Sequence, residues 1–256
     1  MRTLVVFYNP WVFALELAVL KSKEIEVTHV TVSRNYFNNG SQVSSNINWL
    51  KTHTTYTIVP YENLGDYDII VVPTPGCVKE DELYKKYPTK KYIFVEEGIS
   101  AYLDRELSER EKALLVLNEM YLTRPDKRTE GKPIDVNVAA RIAMNFFVNE
   151  LKSFPKNVKY VIFTEPVEHD NGNIYYADML VNYVNNLPPD ALVLLKRHPR
   201  DDTIYRFKHA VLEPERTIPA QLTYFMYPSA TFVFTQYSTS LLLFPDKMNK
   251  EIIKAS

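Results

Sequence analysis

The chain has 256 residues, 46% of them hydrophobic and 24% charged, a balance that supports packed cores and excludes a largely disordered chain. Its 30 Lys and Arg against 31 Asp and Glu leave a formal charge of -1, so no overall field calls for nucleic acid and any anion site must be local. Cys77 is the single cysteine, which excludes an intrachain disulfide and fits a reducing, cytoplasmic setting.

In chain order, the opening "MRTLVVFYNPWVFALELAVLK" is apolar but is interrupted by Asn9, Pro10 and Glu16. A spanning helix needs about 20 apolar residues without such breaks, so neither a membrane span nor a signal peptide is expected. "RTLVVFYNP" reads instead as a buried strand and turn, and "WVFALELAVLKSK" as a helix. "EIEVTHVTVS", "YDIIVVPTP" and "KKYIFVEEG" read as further strands. Cys77, in "VVPTPGCVKE", has no cationic setting to activate a thiolate and is expected to be structural. "SEREKALLVLNEMYL" reads as a helix from Ser108, and the polar stretch near 122–137, "TRPDKRTEGKPIDVN" with its two prolines and glycine, as a linker. "VAARIAMNFFVNELKSF" is helical. A second series follows: a strand in "NVKYVIFTEP", a helix in "YYADMLVNYVNNL", a strand in "DALVLLKRHP", then strand, helix and strand signals to "QYSTSLLLF". Strands alternating with helices predict a parallel α/β fold. The simplest architecture is two Rossmann-like domains facing a central cleft, 1–153 and 154–256.

Open parallel sheets bind ligands at the carboxyl ends of their strands, and three polar clusters fall there. Glu96 and Glu97 precede Gly98 directly after "KYIFV"; a carboxylate in a partly desolvated pocket can serve as a general base, although two acids before a helix also suit its dipole. Lys196, Arg197, His198, Pro199 and Arg200 end an apolar strand, where His198 can donate to a phosphate and Pro199 stiffens the tip; a solvated strand end has the same composition. Ser238, Thr239 and Ser240 precede an apolar run, offering hydroxyls and free N–H groups to an anion or simply capping a helix.

Taken in order, the trio resembles the bacterial sialyltransferases of the two-domain GT-B type, which carry an acidic-acidic-Gly motif, an HP motif and a paired Ser/Thr motif. The matches are Glu96-Glu97-Gly98, His198-Pro199 and Ser238-Thr239-Ser240. "YVIFTEP", with Thr164, Glu165 and Pro166, is similar to the family's first strand and loop of the nucleotide-binding domain, and "TIPAQL", with Gln221, to the segment after the HP motif. The resemblance implies an acceptor-binding domain 1–153 and a nucleotide-sugar-binding domain 154–256. It implies an inverting enzyme moving sialic acid from CMP-sialic acid to a hydroxyl of a bacterial surface glycan, such as the terminal galactoside of a lipooligosaccharide or capsule. Glu96, or else Glu97, would be the base; His198 would bind the phosphate and help CMP leave. Ser238, Thr239 and Ser240 would hold phosphate oxygens, with Glu165 and Gln221 near the cytidine and Lys196 and Arg200 adding positive potential.

Gln221 stands where the family often has an acid, which keeps open a related transferase using CMP-Kdo or a hexose donor. The chain is short for such an enzyme, which keeps open a non-catalytic nucleotide- or glycan-binding subunit. Asn9 and Pro10 are weighed as acceptor contacts but read better as a turn, and Trp11, Trp49, Tyr84 and Tyr102 as core residues. His29, His53, His169 and His209 have no metal-site spacing, and no GxxxxGK[ST] or GxGxxG pattern occurs; no metal or cofactor is expected. Lys127, Arg128 and Lys132 suit a solvated linker, with peripheral membrane association and homo-oligomerisation left open.

Overall fold

The computed structural model describes residues 1–32, 40–60, 65–73, 87, 89–96, 118–124, 131–164, 174–198, 201–235 and 244–253. The chain divides into two compact units, Met1–Val148 and Asn149–Ser256, each built on one parallel sheet.

In the first unit, β1 (Thr3–Phe7), β2 (His29–Val32), β3 (Ile69–Pro73), β4 (Lys91–Val95), β5 (Glu119–Leu122) and β6 (Lys132–Pro133) lie in the order β2-β1-β3-β4-β5-β6, every pair parallel. β1 and β3 are buried along their whole length, as a sheet covered on both faces requires, and this explains their continuous apolar runs. One face carries Leu4, Val6, Ile70, Val72 and Phe94. On the other, Phe7 meets Phe13 of α1 (Pro10–Ser22) at 5.5 Å and Trp49 of α2 (Gly40–His53) at 5.3 Å between ring centroids. α3 (Val136–Phe146) packs against α1, with Phe146 stacked on Phe13. The Asn9 side chain accepts from the Trp11 and Val12 N–H groups at 3.0 and 2.9 Å. Asn9 and Pro10 therefore start a helix, the side chain satisfying donors that the first turn leaves free. Trp11 and Trp49 are packing residues, while Cys77, Tyr84 and Tyr102 lie outside the described residues.

Two expectations change here. "EMYL", read as the end of a helix, is strand β5, because a short apolar run satisfies either periodicity and only its neighbours decide. The polar stretch 122–137 is not merely a connection: Lys132–Pro133 pairs with Tyr121–Leu122 as an edge strand, the position where proline is tolerated in a sheet. Asp135 then caps α3, accepting from Asn137 and Val138 N–H at 3.0 and 3.1 Å.

After α4 (Val148–Leu151), the second unit contains β7 (Tyr160–Phe163), α5 (Ile174–Asn185), β8 (Val193–Lys196), β9 (Val211–Leu212), α6 (Ala220–Met226), β10 (Thr231–Thr235) and β11 (Lys250–Ile253). The sheet order is β11-β10-β7-β8-β9, again parallel throughout. Val161, Phe163, Leu194, Phe232 and Phe234 form a core on one face with Phe244. Ile162, Val193, Leu195 and Val233 pack on Leu180 and Val184 of α5 on the other. The chain steps outward from β7 to β8 and β9, then returns to place β10 on the opposite side of β7. Strand order thus reverses between β7 and β10, where an open parallel sheet leaves a crevice at its carboxyl edge. Among the described residues no helix is long and apolar enough to cross a membrane.

Candidate functional site

Glu96 directly follows β4, and its N–H still donates to Tyr121 O at 3.0 Å, so the strand pairing carries it to the carboxyl edge. The residue is only 2% exposed. Thr123, just past β5, anchors its carboxylate: Thr123 N donates to Oε2 at 2.5 Å, and Thr123 Oγ1 lies 2.7 and 2.8 Å from Oε1 and Oε2. A main-chain donor and a hydroxyl thus fix the plane of the group and support its charge. Glu97 and Gly98 lie outside the described residues.

In the second unit, Thr164, Lys196 and His198 come together at the tips of β7 and β8. Thr164 N–H donates to Lys196 O at 3.2 Å, and Thr164 Oγ1 accepts from His198 N–H at 3.0 Å. The His198 carbonyl, just past β8, accepts from Asp201 N–H at 2.9 Å. Asp201, which the sequence motifs do not single out, thus holds the strand tip. It is fully buried, accepts from Thr203 N–H and from Tyr205 O–H at 3.0 Å each, and faces Arg197 Nε at 3.5 Å. Burial pushes its carboxyl pKa up, but hydrogen bonds from Thr164, Thr203 and Tyr205 outweigh that and hold it below the ordinary carboxylate value.

The cations of "KRHPR" are sorted by strand alternation. Lys196, two residues after Leu194, lies on the α6 side, where Nζ donates to Arg197 O at 3.2 Å and Arg216 O at 3.1 Å. Arg197 turns to the other side, bonding Thr203 O and lying 3.7 Å from Glu213, with its guanidinium over the Tyr205 ring at 5.4 Å. Its charge is therefore spent within the protein. Gln221 sits in the first turn of α6, half-buried, and connects to the cluster through the loop whose Arg216 carbonyl Lys196 holds. Glu165, Pro166, Pro199, Arg200, Ser238, Thr239 and Ser240 lie outside the described residues.

A groove of about 710 Å³ occurs elsewhere in the first unit, lined by Leu17, Leu20, Lys21, Tyr56, Ile142 and Phe146. α1 leaves the carboxyl end of β1 and returns toward the amino edge, so this groove at its far end is remote from Glu96.

Two all-parallel sheets, one in each unit, define the class: an α/β protein with a GT-B-like fold. No protein-family description and no curated protein matches the sequence. Among solved structures, the chain is similar to UDP-GlcNAc 2-epimerase from Neisseria meningitidis bound to UDP-GlcNAc, with a TM-score of 0.53 and 11% identity over 91% of this chain and 77% of that one. The S. aureus MnaA–UDP structure matches with a TM-score of 0.46 and 13% identity, over 91% and 74% of the two chains.

The first likeness corrects the assignment as a CMP-sialic-acid-dependent sialyltransferase: the similar solved protein is a UDP-GlcNAc 2-epimerase, an enzyme of another kind. The physical reason is that Glu96 and His198 follow the apolar strands β4 and β8 directly, and polar residues at strand ends occur in α/β proteins of many functions, so short motifs of this kind do not select a reaction.

Proposed function

We propose that the chain is a nucleotide-sugar enzyme whose phosphate-bearing ligand sits at the tips of β7 and β8. The observation carrying this reading is the convergence of Thr164, Lys196 and His198 beside the β7/β10 strand reversal. His198 and Lys196 supply donors to phosphate oxygens, with Pro199, Arg200, Ser238, Thr239 and Ser240 as further ligand contacts and Glu165, Pro166 and Gln221 toward the nucleoside. When the bond between the sugar and the phosphate breaks, its electron pair goes to the phosphate oxygen, and positive charge nearby lowers the cost of that charge. Glu96, held by Thr123 in the first unit, is the candidate general base. No metal or cofactor is required for these steps.

Purified protein incubated with CMP-, UDP- and GDP-sugars should bind one class and convert it, as read by thermal shift and product chromatography. Glu96→Gln should keep binding while turnover falls by about 10²-fold or more, the scale of a lost general base. Absence of binding across the panel would overturn the reading. Binding without turnover would instead identify a nucleotide-sugar-binding subunit and remove the catalytic role from Glu96.

A further inference from the structure

Among the described residues, the Lys196 ammonium is a buried charge without a counter-ion. The residue is 4% exposed, and Nζ uses two of its three N–H bonds on the Arg197 and Arg216 carbonyls, which offer dipoles but no net negative charge. No ion pair to Lys196 exists among the described residues. The surrounding acids are engaged by arginines: Asp202 by Arg216 at 2.8 Å, Asp201 and Glu213 by Arg197 at 3.5 and 3.7 Å. On the opposite face, with Arg197, Tyr205 bonds Asp201, on α6 Gln221 is neutral, and His198 stands at the tip itself. The loop before α6 therefore brings a second cation, Arg216, toward Lys196, while its Glu215 is exposed and bonded by the Thr217 hydroxyl at 3.4 Å, with no ion pair to Lys196. A buried, uncompensated cation at a ligand edge is costly unless a ligand supplies the opposite charge.

We propose that Lys196 is the proton-carrying counter-charge for a phosphoryl group at the tips of β7 and β8, so that anion capture and retention of the Nζ proton are one event. This rests on the nucleotide-sugar reading above and adds how its phosphate is held. Burial, reinforced by the Arg216 guanidinium, brings the Lys196 pKa from the ordinary 10.5 down to about 8. An arriving phosphate reverses the balance, raises that pKa and takes up a proton. The competing role, a lysine that only ties two loops together, predicts no such coupling.

The test is calorimetric titration of the whole chain with CMP and with UDP between pH 7 and 9. Imidazole and the phosphates of these probes ordinarily titrate below this window. Expected is an affinity about tenfold weaker at pH 9 than at pH 7, with uptake of about half a proton per site at pH 8 when buffers of different ionisation enthalpy are compared. Lys196→Met, similar in length and uncharged, should bind more weakly at pH 7 and lose the pH dependence. If that variant does not fold, the proton uptake of the wild-type chain decides. Equal wild-type affinity at both pH values without proton uptake, or an unchanged profile in Lys196→Met, overturns this inference and leaves the functional reading standing. Failure of both probes to bind at pH 7 overturns this inference, and the functional reading falls with it when GDP-sugars fail to bind as well.

Discussion

At the scale of single residues, Lys196 and Glu16 are, among the described residues, ionisable groups buried without an opposite charge, each at a cost in stability. Lys196 lies in the proposed ligand edge, but Glu16 lies in α1 among Trp11 to Leu20, all buried. Both of its carboxyl oxygens are buried without a hydrogen-bond partner, and burial pushes its pKa well above the ordinary 4.5. Such a group is held as the neutral acid. Because the unfolded chain gives up this proton near pH 4.5 while the folded chain keeps it, the contribution to stability is fully present below that value and declines as pH rises through the folded pKa. Glu16→Met should therefore stabilise the protein by about 1–3 kcal/mol at pH 7, the usual cost of an unpaired buried polar group. The gain should shrink toward pH 4. Urea unfolding at the two pH values checks both parts, and a variant less stable than wild type at pH 7 would reveal a structural use for the acid.

At the scale of elements, the edge of the first sheet is the least conventional piece. β6 has two residues, one of them proline, yet it approaches β5 closely enough that a Cβ on Gly131 would stand 2.2 Å from Leu122 Cδ1 and 2.5 Å from Cγ. Leu122 is fully buried, so its branch point has nowhere to retreat. Gly131→Ala should destabilise by about 1–3 kcal/mol, as overpacking does, with a lowered urea midpoint and an unchanged slope. This edge also shows where the sequence was legible and where it was not. β1, β3, β4, β7 and β8 are continuous apolar runs ending in turn or polar residues, a pattern that parallel burial imposes locally. "EMYL" and "KP" become strands only because a partner strand is already in place, which no local period records. The candidate site divides the same way. The tips carrying Glu96 and His198 were readable from abrupt apolar endings, and "RDD" after the histidine carried a signal for Asp201. Thr123 was hidden because its role depends on β5 lying beside β4.

At the scale of the whole molecule, each unit has a core of its own. Among the described residues, the apolar cluster around β1 to β5 is built from the first unit and those around β7 to β10 from the second. Each sheet also completes its strand pairing within its own unit. Chemical unfolding is thus expected to proceed in two steps rather than one. The sequence provides a convenient reporter, since both tryptophans, Trp11 and Trp49, belong to the first unit. Tryptophan fluorescence should follow the first unit alone, while far-ultraviolet circular dichroism follows helices and strands of both, so the two urea curves should fail to superimpose. A nucleotide bound at β7 and β8 should stabilise only the second step by mass action, moving the dichroism curve while leaving the fluorescence midpoint in place. Superimposable curves, with and without nucleotide, would mean that the two cores unfold as one cooperative body, and that ligand energy collected at Lys196 and His198 is shared with the sheet that carries Glu96.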